Sequence, residues 1–94
     1  MGVNANYKLS GRVDGTNADH YDIEVSALLK TAGPSFSIDL SELTYISSLG
    51  LRIFLKTAKE LKSQNKKLIL VKPNSEILDL LLMSGFDKII EIEK

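Results

Sequence analysis

Several residue types and patterns are scarce in this sequence, and each scarcity excludes a class of function. The 94 residues contain no cysteine and only one histidine. Disulfide bonds, a thiolate nucleophile and metal sites built from Cys or several His ligands are therefore excluded. The twelve basic and twelve acidic side chains cancel, so no basic excess is present to recruit nucleic acid or an anionic membrane.

Long hydrophobic runs are also missing. No apolar run approaches the roughly 20 residues that a membrane helix needs. Residues 1–6 lack the basic start and apolar run of a secretory signal. We therefore predict a cytoplasmic protein with no membrane span and no bound metal or cofactor.

The length and composition predict one globular domain over residues 1–94. A chain of this size can bury a single hydrophobic core but not two. Hydrophobic residues make up 44% of the sequence and charged residues 26%, as is typical of soluble globular proteins.

Hydrophobic periodicity alternates between the strand and helix periods along the whole chain. The predicted strands span residues 7–13, 35–40, 68–71 and 89–92, and the predicted helices span residues 18–32, 51–63 and 76–84. Residues 41–47 are predicted to form a loop, and Gly85 to follow the third helix as its terminating glycine. This order favours an α/β fold, in which a mixed sheet of four or five strands carries about three major helices.

The stretch at residues 45–52 joins a strand to the second helix, and two interpretations of Ser48 start from that position. Sites in open α/β sheets gather at the carboxyl ends of strands. The first N–H groups of a helix lack intrahelical acceptors, and the helix dipole is positive there, so a phosphate on Ser48 meets a favourable environment. A serine at this position can equally serve only as the helix cap. The pattern predicts that Ser48 is solvent-accessible at or just before the first turn, beside Gly50.

A docking patch is predicted beside Ser48 on the second helix. The predicted core stripe of that helix comprises Leu51, Phe54, Leu55, Ala58 and Leu61. At about 100° per residue, Leu49 and Ile53 then point away from the core. We predict that Leu49, Arg52 and Ile53 contact a protein partner.

Catalytic and metal-binding interpretations receive less support. His20 falls on the first predicted helix, and nothing in the sequence places it near Ser48 for a Ser-His-acid triad. A phosphocarrier role for His20 lacks a basic cluster to hold the phosphate. Asp14, Asp39 and Glu42 could gather near strand ends around a hard cation, although solvated turn carboxylates are the commoner arrangement. We predict that the protein is not an enzyme.

Five stretches, in order along nearly the whole chain, resemble the STAS domain. Within that family they resemble the small bacterial anti-sigma factor antagonists. The matching stretches are residues 10–14, 36–41, 45–52, 67–71 and 82–86. The resemblance implies a STAS-like fold over residues 1–94.

The resemblance also implies a phosphorylation site. The family signature reads Asp-Ser-Ser/Thr-Gly or close variants, and its first serine, which a partner kinase phosphorylates, corresponds to Ser48. Ser47 stands where the signature has Asp and is an alternative acceptor, and Leu49 stands where a small residue is usual. Asp14 and Asp39 match acidic positions that lie near the phosphorylated loop in the family. The resemblance also places Gly50 near that loop.

The function implied by the resemblance is a protein-interaction switch without catalytic activity. The unphosphorylated form would bind an anti-sigma factor serine kinase and so free the sigma factor, and a separate protein phosphatase would reset the phosphorylated form. Two alternatives stay open. One is a STAS-type module that binds a partner constitutively in a transport or other regulatory complex, and the other is a small enzyme that uses the carboxylates at the strand ends.

Overall fold

The computed structural model describes residues 5–93, and residues 1–4 and 94 lie outside that part of the chain. Most of the N-terminal stretch that we interpret as lacking a secretory signal therefore falls outside the described residues. The elements in chain order are β1 (Tyr7–Val13), α1 (Ala18–Leu29), β2 (Ser35–Ile46), α2 (Ser48–Ser63), β3 (Lys67–Val71), α3 (Ser75–Met83), a 3₁₀ turn (Phe86–Lys88) and β4 (Glu91–Glu93). The predicted α/β fold, with four strands and three major helices, is confirmed.

The sheet is parallel throughout the described residues, so the prediction of a mixed sheet is wrong. The strands lie in the order β1-β2-β3-β4, and all three pairings are parallel. Each connection contains a helix, which returns the chain to the same end of the sheet before the next strand begins. Right-handed connections that all proceed in one direction place the three helices on one face of the sheet.

The burial of alternate strand residues supports that one-sided arrangement. Most side chains of β1, β2 and β3 on the helix-covered face are buried, whereas Lys8, Ser10 and Lys67 of the opposite face are exposed. On that opposite face of β3, Ile69 is half-buried and Val71 is buried. The buried residues of the helix-covered face include Leu9, Phe36, Ile38, Leu40, Leu68 and Leu70.

Strand β2 continues to Ile46, so the loop predicted for residues 41–47 is wrong up to Ile46. Leu43 and Ile46 are buried and hold this second half of β2 against the core. Two register shifts in the pairing with β1 interrupt the simple alternation of apolar residues, and such irregularities hide a strand from its sequence pattern. Because the pairing of β2 with β3 ends at Asp39 and Val71, β2 projects beyond β3 alongside β1 alone.

Asn74 links this projecting half of β2 to α3. Its Oδ1 accepts a hydrogen bond from the N–H of Ile77 at 2.8 Å and caps the helix. Its Nδ2 donates to the carbonyl oxygen of Leu43 at 3.0 Å, in the part of β2 that lies beyond β3.

Two other element boundaries differ from the prediction, and a third agrees with it. Helix α1 ends at Leu29 rather than at residue 32. The last strand begins at Glu91 rather than at residue 89, because the 3₁₀ turn comes before it. Gly85, with φ 75°, follows the C-cap of α3 as predicted, in a left-handed conformation that glycine adopts without strain.

Helix α2 approaches the sheet most closely at Gly50. A Cβ atom on Gly50 would lie 2.5 Å from Ile46 Cγ1 and 2.9 Å from Val13 Cγ1. No side chain fits in that space, so glycine allows the start of α2 to rest directly on the ends of β1 and β2. The buried residues of α2 are Gly50, Ile53, Phe54, Thr57, Ala58 and Leu61.

Ile53 belongs to this buried stripe, so the prediction that it is exposed in a docking patch is wrong. Only 5% of Ile53 is exposed, whereas 46% of Leu49 is exposed, which confirms the predicted exposure of Leu49 and leaves its contact with a partner a prediction. The predicted stripe began at Leu51, which is half-buried, instead of at Gly50. Glycine carries no apolar side chain that would mark it as part of the stripe, and the predicted helical phase was therefore shifted by one residue.

We expect Gly50→Ala to lower the free energy of unfolding by about 2 kcal/mol, because the added methyl group overpacks the junction of α2 with the sheet. This loss exceeds the gain of roughly 0.5–1 kcal/mol that Ala gives over Gly inside a helix. Urea denaturation measures the difference. Gly33→Ala is the control, since no atom lies within 4 Å of its Cβ position. Equal stabilities for the two variants would contradict the close approach at Gly50.

We expect Ile53→Ala to lower the free energy of unfolding by about 2–4 kcal/mol through the cavity that it leaves. Leu49→Ala should change it by less than about 1 kcal/mol, because nearly half of Leu49 is already in solvent. Thermal melts of both variants, followed by circular dichroism, make the comparison. A larger loss for Leu49 than for Ile53 would refute the helical phase that turns Ile53 toward the core.

Candidate functional site

The candidate site lies where β1 and β2 end beside the first turn of α2. The backbone N–H of Ser47 donates to the carbonyl oxygen of Val13 at 2.8 Å, which fastens the end of β1 to the residue between β2 and α2. Ser47 is in an extended conformation, and its Oγ accepts a hydrogen bond from the N–H of Gly50 at 3.3 Å. Ser47 is therefore the N-cap of α2.

Ser48 is the first residue of α2 and is exposed. The prediction that it is solvent-accessible at or just before the first turn, beside Gly50, is confirmed. The two interpretations of Ser48 can now be separated, because Ser47 occupies the cap position and leaves the Ser48 hydroxyl accessible. The surrounding first-turn N–H groups and the positive end of the helix dipole favour negative charge at this position.

The side chain of Leu49, next to Ser48, packs against the loop between β1 and α1. Its Cδ1 atom lies 3.3 Å from the position that a Cβ on Gly15 would occupy. This contact uses one side of Leu49 and leaves the other side in solvent. The exposed apolar surface beside Ser48 is therefore held in a defined place.

A groove of about 700 Å³ runs between α1 and α2, and Leu49 lies on its wall. Asp19 and Asp22 contribute negative charge from α1, while Arg52 and Lys56 contribute positive charge from α2. Lys56 Nζ lies 3.0 Å from Asp22 Oδ2, so one ion pair crosses the groove. A groove of this kind can receive apolar and charged side chains of another protein.

Asp14 lies close to the site, as predicted. It directly follows Val13, the residue that accepts the hydrogen bond from Ser47. Hydrogen bonds from the Thr16 hydroxyl at 2.6 Å and the Thr16 N–H at 3.0 Å hold the pKa of Asp14 below its usual value, and Arg12 adds a weaker attraction at 3.8 Å. Asp14 is therefore a fixed negative charge near Ser48 at neutral pH.

Asp39 does not lie beside Ser48, contrary to the prediction. It sits seven residues before Ile46, the end of β2, and their partners on β1, Lys8 and Val13, are five residues apart, which is about 17 Å along a strand. The backbone N–H of Ser41 donates to Asp39 Oδ1 at 2.8 Å, and this bond lowers the pKa of Asp39. The resemblance implied that Asp39 lies near the loop, whereas β2 extends past residue 40 and separates Asp39 from the site.

The other polar residues considered as catalytic or metal-binding groups have local partners. Glu42 pairs with Lys8 at 2.6 Å. His20 Nε2 lies 3.4 Å from Glu24 Oε2 on the same helix. Among residues 5–93, no group of three or more His, Cys, Asp or Glu side chains is arranged to hold a metal ion.

Two residues near the site were missed from the sequence. The guanidinium of Arg12 lies 4.2 Å from the ring centroid of Tyr45, a distance at which the cation and the aromatic face attract each other. These residues are partners in the β1–β2 register. The sequence could have revealed this pair only if β2 had been predicted to continue to Tyr45, and the apolar pattern does not indicate that length.

A helix that crosses a membrane must be both long and apolar. None of the helices that the structure describes between residues 5 and 93 combines these two properties.

The chain matches known proteins in sequence and in fold. Residues 3–94 match the STAS domain. The Bordetella bronchiseptica protein BtrV, named as an anti-sigma factor antagonist, is 33% identical over 78 residues, which are 83% of this chain and 67% of that protein. An anti-sigma-B factor antagonist of Listeria monocytogenes is 27% identical over 85 residues, which are 90% of this chain and 75% of that protein.

Solved structures show the same fold at lower sequence identity. The crystal structure of a Thermotoga maritima protein described as an anti-sigma factor antagonist has a TM-score of 0.84 and 21% identity, and the match covers 99% of this chain and 83% of that chain. The anti-sigma factor antagonist SpoIIAA in its unphosphorylated form has a TM-score of 0.78 and 17% identity, with 100% and 85% covered. Because the STAS match spans residues 3–94 and the Bordetella relative is 33% identical over most of the chain, this chain belongs to the STAS domain family.

Proposed function

We propose that this protein is a phosphorylation-controlled interaction switch of the anti-sigma factor antagonist type. The observation that carries the proposal is the division of roles between two adjacent serines. Ser47 caps α2 through its bond to Gly50, whereas Ser48 presents an exposed hydroxyl at the first helical position. A kinase can thus modify Ser48 without removing the cap of the helix.

The partner in this proposal is an anti-sigma factor that is also a serine kinase. Residues 1–94 act as one cytoplasmic STAS domain, which binds that partner while Ser48 is unphosphorylated and so frees the sigma factor. A separate protein phosphatase restores the unphosphorylated form. The names of the Bordetella and Listeria relatives support the choice of an anti-sigma factor as partner.

The chemical step requires only an acceptor hydroxyl from this chain. Ser48 Oγ forms a bond to the γ-phosphorus of ATP held by the kinase, the bond between that phosphorus and the ADP oxygen breaks, and the hydroxyl proton passes to a base of the kinase. The positioning of ATP and the stabilisation of the transition state come from the kinase. In this proposal the STAS protein is a substrate and a binding partner, not an enzyme.

The phosphate is expected to act on binding rather than on folding. It brings close to two negative charges to a helix N-terminus, where first-turn N–H groups and the dipole favour them. A partner that covers Ser48 must remove water from that phosphate, and acidic partner groups repel it. A coupling of roughly 1–3 kcal/mol changes affinity by about 5- to 150-fold, which is enough for a switch.

The docking surface in this proposal comprises Leu49, Arg52 and the groove between α1 and α2. Leu49 provides exposed apolar area beside Ser48. Arg52 is exposed one helical turn further on, and it lines the groove. Ile53 lines the groove as well but is almost wholly buried, so it packs in the core behind the docking surface and contributes little of the exposed area.

One observation favours a second candidate, a STAS module that binds its partner constitutively in a transport or other regulatory complex. Ser47 stands where the family signature has Asp, so the acidic cap that accompanies the phosphorylated serine in that signature is absent. Mass spectrometry of the protein from its own cells distinguishes the candidates. Phosphate on Ser48 supports the switch, whereas phosphate on neither serine supports the constitutive module.

We expect Ser48→Asp to keep the fold but bind the kinase-type partner at least about 5-fold more weakly, because it introduces negative charge into the interface. Ser48→Ala should keep the fold, bind as tightly as the unmodified protein and accept no phosphate. Thermal melts, binding titrations and phosphorylation assays with the cognate partner measure these properties. Ser48 has no switch role if Ser48→Asp binds normally and Ser48→Ala is phosphorylated at the same rate.

Ser47→Ala is the matched control at the neighbouring serine. It should still be phosphorylated on Ser48, but its free energy of unfolding should fall by about 0.5–2 kcal/mol because the N-cap of α2 is lost. Loss of phosphorylation in a folded Ser47→Ala protein would instead identify Ser47 as the acceptor.

We expect Leu49→Asp to weaken partner binding by about tenfold or more, since it replaces exposed apolar surface beside Ser48 with a charge that must be desolvated. The melting temperature should change little, because Leu49 is 46% exposed. Ile89→Asp is the control at another apolar residue, which is 55% exposed and follows the 3₁₀ turn. Equal effects of both variants on binding would exclude Leu49 from the docking surface.

A further inference from the structure

Positive charge is concentrated on α2 and the connector that follows it. Between Ser48 and Lys67 the sequence contains six basic residues and one acidic residue, although the whole chain is neutral. The helix that begins at Ser48 therefore carries an excess of positive charge, which attracts a negative group such as a phosphate on Ser48.

Three of these six cations already have partners. Lys56 pairs with Asp22 at 3.0 Å, Lys67 pairs with Glu91 at 3.0 Å, and Lys66 Nζ donates to the carbonyl oxygen of Ala32 at 2.7 Å. The remaining three are Arg52, Lys59 and Lys62. Within residues 5–93 these three make neither an ion pair nor a side-chain hydrogen bond.

Arg52 is the cation of these three that lies within reach of Ser48. The two residues are exposed and four positions apart on α2, a spacing that puts their Cβ atoms about 5–6 Å apart. Side chains on a helix lean toward its N-terminus, so Arg52 extends back over Ser48. An acidic group four residues before a basic one is also the more favourable order of an i,i+4 ion pair.

Charged groups from the neighbouring strand do not replace Arg52. Arg12 is engaged by Asp14 at 3.8 Å and stacks on the Tyr45 ring. Asp14 itself repels a phosphate on Ser48. From the facing helix, Asp19 and Asp22 are also negative, and Asp22 is already bound to Lys56.

We propose that Arg52 is the intramolecular partner of the phosphate on Ser48. In the unphosphorylated protein the guanidinium is free to bind a carboxylate of the docking partner. After phosphorylation it binds the phosphate across one turn of α2, because guanidinium and phosphate form strong charge-assisted hydrogen bonds. The modification thus adds a repulsive group and withdraws an attractive one. The use of this pair in regulation rests on the proposed function, whereas the pair itself does not.

The pair can be tested without any kinase. Phosphoserine is incorporated at position 48 during translation, and its second pKa is followed by ³¹P NMR. This pKa is ordinarily about 6. A guanidinium one turn away favours the dianion, so Arg52→Gln should raise the phosphoserine pKa by about 0.5, equivalent to about 0.7 kcal/mol. The increase should shrink in 1 M salt, where exposed charges are screened within about 3 Å.

Lys59→Gln is the matched control for this titration. It removes the same charge from the same helix at another unpaired residue of the groove, but Lys59 lies eleven positions from Ser48, about 16 Å along the axis. The phosphoserine pKa should therefore change by less than about 0.2. A change for Arg52→Gln no larger than that for Lys59→Gln overturns the pair.

Binding titrations against the cognate kinase-type partner then separate this inference from the proposed function. Arg52→Gln should weaken binding of the unphosphorylated protein by about 3- to 10-fold and reduce the further loss caused by phosphoserine. If Arg52→Gln leaves both affinities unchanged, the role of Arg52 in partner binding is refuted. If phosphoserine weakens binding in no variant, the proposed switch fails, while a pKa difference between the two variants still establishes the pair.

Discussion

The direct contact of the Gly50 backbone with Val13 and Ile46 is the constraint on which the site depends. It sets how closely α2 approaches the ends of β1 and β2, and thereby which side of the helix enters the core. Once that side is fixed, Ile53 is buried and Leu49 is left at the surface. The same approach brings the Gly50 N–H to Ser47, so the helix cap and the packing of the helix depend on each other.

In the proposed switch, the two adjacent serines have separate tasks within one turn of helix: Ser47 caps α2 and Ser48 accepts the phosphate. Ser47 is half-buried and satisfies a backbone donor, so its hydroxyl is committed to the fold. The hydroxyl of Ser48 does not cap the helix, so its modification is expected to change the free energy of unfolding little. Its surroundings combine a helix terminus that favours negative charge, a nearby carboxylate at Asp14 and an unpaired guanidinium at Arg52. In the proposed switch, a phosphate on Ser48 would therefore change the charge of the surface that the partner contacts.

Sequence patterns predicted the order of elements and the exposure of Ser48, because apolar periodicity reports directly on which residues are buried. They failed where the relevant residue has no informative side chain or where pairing is irregular. Gly50 leads the buried stripe of α2, yet it does not contribute to an apolar pattern, and Ile53 was misplaced in consequence. The register shifts opposite β1 concealed the second half of β2, so the Arg12–Tyr45 contact was missed.

The side chain of Asn74 makes a hydrogen bond to β2 beyond the point where the pairing of β2 with β3 ends. Beyond Asp39, β2 has β1 on one side and no continuation of β3 on the other, and an exposed strand edge invites pairing with other chains. Asn74 supplies a donor to Leu43 there while its oxygen caps α3. Aspartate could provide only the acceptor, and serine is too short to reach both sites. The amide at this single position therefore occupies one backbone acceptor, the Leu43 carbonyl, on the strand edge that leads to Ser47 and Ser48.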